Sequence, residues 1–206
     1  MDTVFLLSPA RCDGRRAKVL LSPKASFELA ARVHASGAPI GEVFAFLSGL
    51  YFRGKLAYAR AFGRRDQDAP SHFVITTDRG LVSADTIVRR HDLLAFADVD
   101  LATAGERYVA PLARDVQRLA TELHTSARVV LLGSIATGKY VDALTATFGE
   151  RLLFPEEFVG RGDMSRGGLM LRSAVDGREL SYRPVLGTVR RGKRPPKLEP
   201  RRYAKR

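Results

Sequence analysis

The sequence predicts a single α/β domain with a mixed, mostly parallel sheet flanked by helices, followed by a basic C-terminal tail. Short apolar runs typical of buried strands alternate with segments of helical periodicity. The chain has 206 residues, 45% of them hydrophobic and 27% charged, which is enough for one well-filled core. Basic residues are concentrated near the end. We therefore expect an α/β domain over residues 1–189 and a flexible tail over residues 190–206.

Short apolar runs, several bounded by turn residues, predict a sheet of four to six strands. Helical spacing of apolar residues, with glycines as stops, predicts the intervening helices. The segment Val88–Val99 fits neither pattern clearly. The strands are predicted at Thr3–Leu7, Lys18–Leu21, His72–Thr76, Arg128–Leu132, Arg151–Phe154 and, at an edge, Glu179–Val185. The helices are predicted at Ala25–Ser36, Glu106–His124, Tyr140–Phe148 and within Ile40–Phe62, which Gly49 and Gly54 should break.

The C-terminal tail carries most of the positive charge. Residues 190–206 hold nine Lys or Arg and one acid, so 9 − 1 = +8 of the net +12 lies there. Such a segment favours a polyanionic partner, above all nucleic acid, with Arg190, Arg191, Lys193 and Arg194 as phosphate-contacting residues. Two alternatives stay open: a solvated tail with no partner, and a scaffold protein whose tail recruits acidic proteins.

Other features narrow the class of protein. No run approaches the roughly 20 apolar residues that span a bilayer, and the first residues lack the positive charge of a signal peptide. Cys12 is the single cysteine, so there is no internal disulfide. We expect a cytoplasmic protein that contacts no membrane. No His/Cys set has zinc spacing, and we expect no metal or cofactor. The arginines near Cys12 would lower its pKa, but no histidine partner is suggested, so we do not expect a nucleophilic thiol.

Three polar stretches are candidates for a binding site. The glycine-rich stretch Phe158–Arg172 is expected to be a loop that faces a ligand rather than a solvated connection. Thr76, Thr77, Asp78 and Arg79 follow a predicted central strand, where α/β sheets bind ligands. The segment Gly133–Lys139 has the glycine spacing of a phosphate-binding loop, but Tyr140 replaces the required Ser or Thr, so only an anion near Lys139 is expected. The site residues of the glycine-rich stretch are Arg161, Asp163, Ser165 and Arg166.

Separated motifs resemble the YaaA-like family, bacterial DNA-binding proteins associated with peroxide stress, and related uncharacterised bacterial domains. Leu6-Leu7-Ser8-Pro9-Ala10-Arg11 is similar to its Leu-Ile-Ser-Pro-Ala-Lys stretch, with Arg in place of Lys. Leu132 to Tyr140 is similar to its Leu-Ala-Ser-x-x-Tyr segment, and Gly162-Asp163-Met164-Ser165-Arg166 to its Gly-Leu-Met-Ser-Arg. The Gly80-Leu81 spacing and the Leu50–Leu56 segment add two weaker matches. The order of motifs is kept over residues 3–172.

The resemblance implies an α/β fold with a basic cleft and DNA binding. It also implies that six residues converge: Ser8, Arg11, Arg79, Thr137, Ser165 and Arg166. Together with the tail, this predicts a nucleic-acid-binding protein, with DNA as the expected ligand. The alternative is an enzyme that acts on a nucleobase or nucleotide in nucleic acid, such as a glycosylase for modified bases. Asp78 or Asp163 would then be the catalytic carboxylate.

Overall fold

The computed structural model describes residues 2–65, 69–99, 105–136, 138–189 and 192–200. Its strands are β1 (Thr3–Leu7), β2 (Ala38–Pro39), β3 (His72–Ile75), β4 (Leu81–Ser83), β5 (Ile87–Val88), β6 (Arg128–Leu132), β7 (Leu152–Pro155) and β8 (Tyr182–Pro184). Its helices are α1 (Arg15–Leu21), α2 (Glu28–His34), α3 (Ile40–Ser48), α4 (Leu50–Phe62), α5 (Arg90–Ala97), α6 (Glu106–Glu122), α7 (Gly138–Phe148) and α8 (Asp163–Asp176). Single 3₁₀ turns flank β7 at Gly149–Arg151 and Glu156–Phe158.

The main sheet has six strands in the order β4-β3-β1-β6-β7-β8. The four central strands β3, β1, β6 and β7 are parallel, and the two outer strands pair antiparallel to their neighbours. Strand β1 lies in the middle, where Leu7 is in register with Val74 on one side and Leu132 on the other. β2 and β5 form a separate two-stranded ribbon. The predicted fold class, an α/β domain with a mixed and mostly parallel sheet, is confirmed.

Strand β1 has the sequence that a central parallel strand requires. Val4, Phe5, Leu6 and Leu7 are all fully buried, because both faces of the sheet are covered and each residue packs on one side or the other. Val129 to Leu132 of β6 are equally buried. A continuous apolar run therefore indicates a strand buried on both faces, and the bounds predicted for β1 and β6 are correct.

Helices α4 and α8 pack together backbone against backbone. A methyl group added at Gly54 would lie 2.5 Å from the Gly167 carbonyl oxygen, and one added at Gly167 would lie 2.5 Å from the Leu50 carbonyl oxygen. Glycine is needed at both positions because any side chain would separate the helices. This contact fixes the face of α4 that carries Tyr51 and Lys55 against the first turns of α8.

Several predicted elements differ from the structure. Lys18–Leu21 belongs to helix α1 and not to a strand, since a four-residue apolar run fits either element. Gly49 ends α3 as predicted, but Gly54 lies inside α4. Val88–Val99 contains the end of β5 and all of α5. Much of the glycine-rich stretch, from Asp163 onward, is helix α8 and not a loop.

Among the helices of the described ranges, none is long and apolar enough to cross a membrane. Two further predictions, a tail without fixed structure and a cytoplasmic location, stay predictions. The tail residues that are described, 192–200, contain no helix or strand.

Candidate functional site

The parallel strands deliver their following loops to one edge of the sheet. β1, β3, β6 and β7 run in the same direction, so Ser8, the Thr76–Arg79 turn, the Gly133–Ala136 loop and the segment leading into α8 all emerge at that edge. This is the edge at which α/β sheets bind their ligands. Helix α4 packs against β1 and contributes Lys55.

A buried lysine is hydrogen-bonded to the serine that follows β1. Lys55 is only 1% exposed, and its Nζ donates to Ser8 Oγ at 2.6 Å and to the Ser8 carbonyl oxygen at 3.0 Å. The ammonium position lies 4.0 Å from the centre of the Tyr51 ring and 5.3 Å from that of Phe52. No carboxylate in the described part of the chain forms an ion pair with Lys55. Lysine is almost never buried in this way unless it is paired.

Burial lowers the pKa of Lys55 to about 7, because the low-dielectric interior disfavours the ammonium form. Asp163 raises the pKa of Lys55 and Arg166 lowers it, so both side chains of α8 act on this amine. The face of the Tyr51 ring favours the protonated form. Lys55 can therefore change its charge near neutral pH, which an exposed lysine cannot do.

Tyr140 holds the loop after β6 against Ser8. Its hydroxyl donates to the Ser134 carbonyl oxygen at 2.9 Å and accepts from the Ser134 amide at 3.1 Å. The Ser8 hydroxyl lies close enough to lower the pKa of Tyr140, although burial raises that pKa overall. A methyl group at Gly133 would lie 2.9 Å from the Tyr140 hydroxyl and 3.0 Å from Ser8 Oγ. Gly133 therefore leaves the space in which Ser8 and Tyr140 meet.

Tyr51 places a second phenol hydroxyl near the Lys55–Ser8 pair. The residue is 7% exposed, and its oxygen has no hydrogen-bond partner of acceptable geometry among the described residues. Burial raises the pKa of Tyr51, and the Arg166 guanidinium lowers it. The Arg166 guanidinium acts on this hydroxyl through its charge, since the two groups do not meet hydrogen-bond geometry. A buried hydroxyl without a hydrogen-bond partner lowers stability unless a ligand or a water molecule supplies that partner.

Arg166 contacts the segment from which it emerges. Its Nε and Nη2 donate to the Phe158 carbonyl oxygen at 3.2 and 3.0 Å, and the guanidinium lies over the Phe158 ring. Asp163, with a side chain that is 68% exposed, is 3.8 Å from Arg166 Nη1. Arg161 donates to Ser165 Oγ at 3.2 Å. Arg166 therefore stabilises the loop before α8 and also places positive charge beside Lys55.

The turn after β3 forms a separate ion-pair network. Arg79 donates to Asp78 at 3.1 Å and to Asp92 at 2.8 Å, and its guanidinium lies over the Phe96 ring. Thr76 and Thr77 use their hydroxyls on backbone carbonyl groups nearby. The carboxylate proposed for catalysis at Asp78 is therefore engaged in an internal pair. This arrangement favours a structural role for Asp78 and Arg79.

The remaining predicted site residues either pair with residues other than Lys55 and Ser8 or lie outside the described ranges. Arg11 is exposed and pairs with its neighbour Asp13. The thiol of Cys12 has its pKa raised to about 12 by burial, Asp13 and Asp78, so the expected lowering by arginines was wrong. Thr137, Arg190 and Arg191 lie outside the described residues, as does the side chain of Lys139. In the described ranges no group of three or more His, Cys, Asp or Glu could hold a metal ion.

The described part of the tail lies along α8 and the loop before it. Arg161 Nη1 donates to the Pro196 carbonyl oxygen at 3.2 Å, and Arg172 Nη2 donates to the Glu199 carbonyl oxygen at 2.6 Å. Leu198 lies against Gly168. An open concavity of about 640 Å³ is lined by Lys193, Arg194, Pro195, Pro196 and Lys197. Both predicted binding residues of this segment, Lys193 and Arg194, are exposed.

Comparison with protein-family models, with curated proteins and with solved structures finds no match to this chain. The resemblance to the YaaA-like family therefore stays a prediction that rests on the motifs alone. Ser8 and Arg166, two of the residues that it implies should converge, do lie around Lys55, through a hydrogen bond and an electrostatic contact respectively.

Lys55 is the residue that sequence reasoning missed, and a signal for it was present. On a helix it lies four residues after Tyr51, three after Phe52 and four before Ala59, all of which are buried. A lysine at the centre of an apolar helical face must either bury its amine or break the face. The periodicity that predicted the helix therefore also marked Lys55 as unusual.

Proposed function

We propose that this protein binds nucleic acid, with duplex DNA as the ligand, through the basic C-terminal segment that lies along α8. The observation that carries the proposal is the exposure of Lys193, Arg194 and Lys197 on a tail segment that is held against α8 and the loop before it. An open basic surface fits a polymer backbone better than a small acidic metabolite. The choice of DNA follows the resemblance to the YaaA-like family.

Charge and anchoring support this proposal. The tail holds +8 of the net +12, and cations of this density release condensed counterions when they contact phosphates. Arg161 and Arg172 hold the segment by its backbone carbonyl groups. The side chains of Lys193, Arg194 and Lys197 are therefore left available for phosphate contacts beside the strand-end edge.

A second candidate function, an enzyme acting on a nucleobase or nucleotide, is favoured by a different observation. Neither carboxylate suggested by the sequence is the favouring observation, because Asp78 is engaged with Arg79 and Asp163 is largely exposed. The observation that favours this second function is the buried, hydrogen-bonded pair of Lys55 and Ser8, which nucleic-acid binding alone does not require.

The test is DNA binding by a triple variant in which Lys193, Arg194 and Lys197 become Gln. Each lost phosphate contact should reduce the slope of log K against log salt by about 0.9, so three contacts should reduce it by about 2.7. Fluorescence anisotropy with a short labelled duplex across a salt titration measures this slope. Deletion of residues 190–206 should reduce it further and leave a cooperative unfolding transition.

The matched control changes Lys18, Lys24 and Arg178 to Gln, which removes the same charge from three exposed residues outside the tail. A specific tail surface predicts that this control keeps the wild-type slope. An equal loss of slope in both variants, or unchanged binding without the tail, would show that the tail is not the binding surface.

A further inference from the structure

The contact between Lys55 and Ser8 is costly for a purely structural interaction. Lys55 is 1% exposed and forms no ion pair in the described chain, so its desolvation is offset by two hydrogen bonds, the ring contacts and the more distant charge of Asp163. A methionine of similar length would pack against Tyr51 and Phe52 without that cost. Groups held at such a cost at the ligand-binding edge of a sheet are typical of catalytic sites.

We propose that Ser8 and Lys55 are a nucleophile and its general base, and that they cleave a phosphate ester. The geometry is that of an activated nucleophile: the two reacting atoms are 2.6 Å apart, within the range for direct proton transfer. The site lies at the carboxyl ends of parallel strands, the edge at which α/β sheets bind their ligands.

The hydroxyl, and not the amine, is the group that attacks. As a residue, Ser8 is 6% exposed and Lys55 only 1%, so the serine is the more accessible member of the pair. Lys55 is held below it by the Ser8 carbonyl oxygen and the Tyr51 ring. These contacts fix the amine in the position of a base and leave it poorly placed to bond to substrate.

The surrounding charges define when Lys55 is a base. Burial lowers its pKa to about 7, Asp163 of α8 raises it, and Arg166 of α8 lowers it. The Tyr51 ring on its own helix favours the ammonium form, while Tyr140 of α7 acts on Ser8. A neutral amine is thus well populated just above neutral pH, where it can accept the serine proton.

The choice of a phosphate ester, which rests on the proposed nucleic-acid binding, comes from the charges near the pair. Arg166 is 14% exposed and acts electrostatically on both Lys55 and Tyr51. Arg161 donates both to Ser165 of α8 and to the Pro196 carbonyl oxygen of the tail. An anionic group beside these residues would be stabilised. The unpartnered Tyr51 hydroxyl offers a further hydrogen bond.

The reaction balances with water as the only other reactant. Ser8 Oγ bonds to phosphorus, its proton passes to Lys55 Nζ, and the bond from phosphorus to the leaving oxygen breaks. That oxygen takes the proton from Lys55. Water then attacks the phosphoserine, and its proton passes through Lys55 to Ser8 Oγ, which restores the pair. Tyr140 is a positioning residue, because it holds the Ser134 loop beside Ser8.

The first experiment treats the full-length protein with a fluorophosphonate probe, which forms a phosphorus–oxygen bond to an activated serine and releases fluoride. Intact mass and peptide mapping should show one adduct, on Ser8, and its rate should rise with pH through the neutral range as Lys55 loses its proton. No adduct at any neutral or mildly alkaline pH, or an adduct on another residue, overturns the proposal. This arm needs no variant and no nucleic acid.

Variants then test the pair. Ser8→Ala should abolish the adduct, and Lys55→Met should slow labelling by about 100-fold or more, the usual contribution of a general base. Ser26→Ala, an exposed serine between α1 and α2, should label at the wild-type rate. If Lys55→Met does not fold, the pH profile of the wild type remains the test of the base. A pH-independent rate overturns that role.

The substrate class is tested with bis(para-nitrophenyl) phosphate and para-nitrophenyl acetate. Turnover of the phosphate diester that is lost in Ser8→Ala supports the proposal, and turnover of the carboxylic ester alone overturns the assignment to phosphate esters. Neither substrate needs the tail, so these assays are independent of DNA binding. If neither ester is turned over while DNA binding is intact, the phosphate-ester proposal fails and the proposed function stands. If the phosphate diester is turned over without any DNA binding, the proposed function fails and the phosphate-ester proposal stands.

Discussion

Replacement of Gly167 by Ala should destabilise the protein, although alanine is the better helix former. The new methyl group would lie 2.5 Å from the Leu50 carbonyl oxygen and 2.8 Å from the Tyr51 Cα. Both neighbours are helix backbone and cannot rotate away, so α4 and α8 must separate. Overpacking of this kind costs about 1–3 kcal/mol, and the gain in helix propensity returns at most about 1 kcal/mol. With the full gain subtracted, the net loss is up to about 2 kcal/mol.

The adjacent glycine provides the control. A methyl group at Gly168 would meet only Leu198 Cδ1, at an ordinary 3.5 Å. Gly168→Ala should therefore stabilise the protein by up to about 1 kcal/mol. Thermal unfolding followed by circular dichroism resolves the difference, because 1 kcal/mol shifts Tm by about 2–4 °C in a chain of this size. Equal Tm changes in the two variants, or a rise for Gly167→Ala, would refute the reasoning about the helix contact.

Three further predictions concern individual side chains. The pKa of Lys55 is lower in the folded state, so the unfolded chain binds more protons above pH 7. The free energy of unfolding in urea, measured relative to that of Lys55→Met, should therefore rise between about pH 7 and pH 10. A difference that does not change with pH would show that the amine is not desolvated. Cys12 should resist iodoacetamide at mildly alkaline pH and react once the protein is unfolded, because burial raises the pKa of its thiol to about 12; rapid native-state alkylation would contradict this. Arg166→Ala should lower the free energy of unfolding by about 1–3 kcal/mol through loss of the hydrogen bonds to Phe158. Arg166→Lys should recover only part of that loss. Full recovery by Lys, measured in the same urea series, would show that a point charge suffices.

The strands of the sheet could be predicted from the sequence where they are buried, because burial on both faces requires a continuous apolar run. All of β1 and the last four residues of β6 are buried, and these residues form nearly continuous apolar runs that mark each strand. Shorter segments carry less information: Lys18–Leu21 has the composition of a strand, yet Leu20 is buried as part of helix α1. Four residues cannot distinguish a period of two from a period of 3.6.

The glycines show why the candidate site was only partly predictable. Glycines near Arg166 suggested a flexible loop open to a ligand, but Gly167 is needed for close contact between two helices far apart in sequence. The same contact positions Lys55, whose partner Ser8 lies 47 residues earlier in the chain. Local patterns indicate turns and buried helix faces, whereas this pairing depends on how α4 packs against β1 and α8.

The central position of β1 has a consequence for synthesis of the chain. Thr3 pairs with Arg128, 125 residues later, so β1 leaves the ribosome well before its partner β6. At about 5–20 residues per second, one edge of this buried, largely apolar strand stays open for roughly 6–25 s, even if β3 has already paired with the other. Such an edge can pair with another nascent chain. The soluble yield of the protein should therefore depend on translation speed and on chaperones that cover the N-terminal strand until β6 arrives.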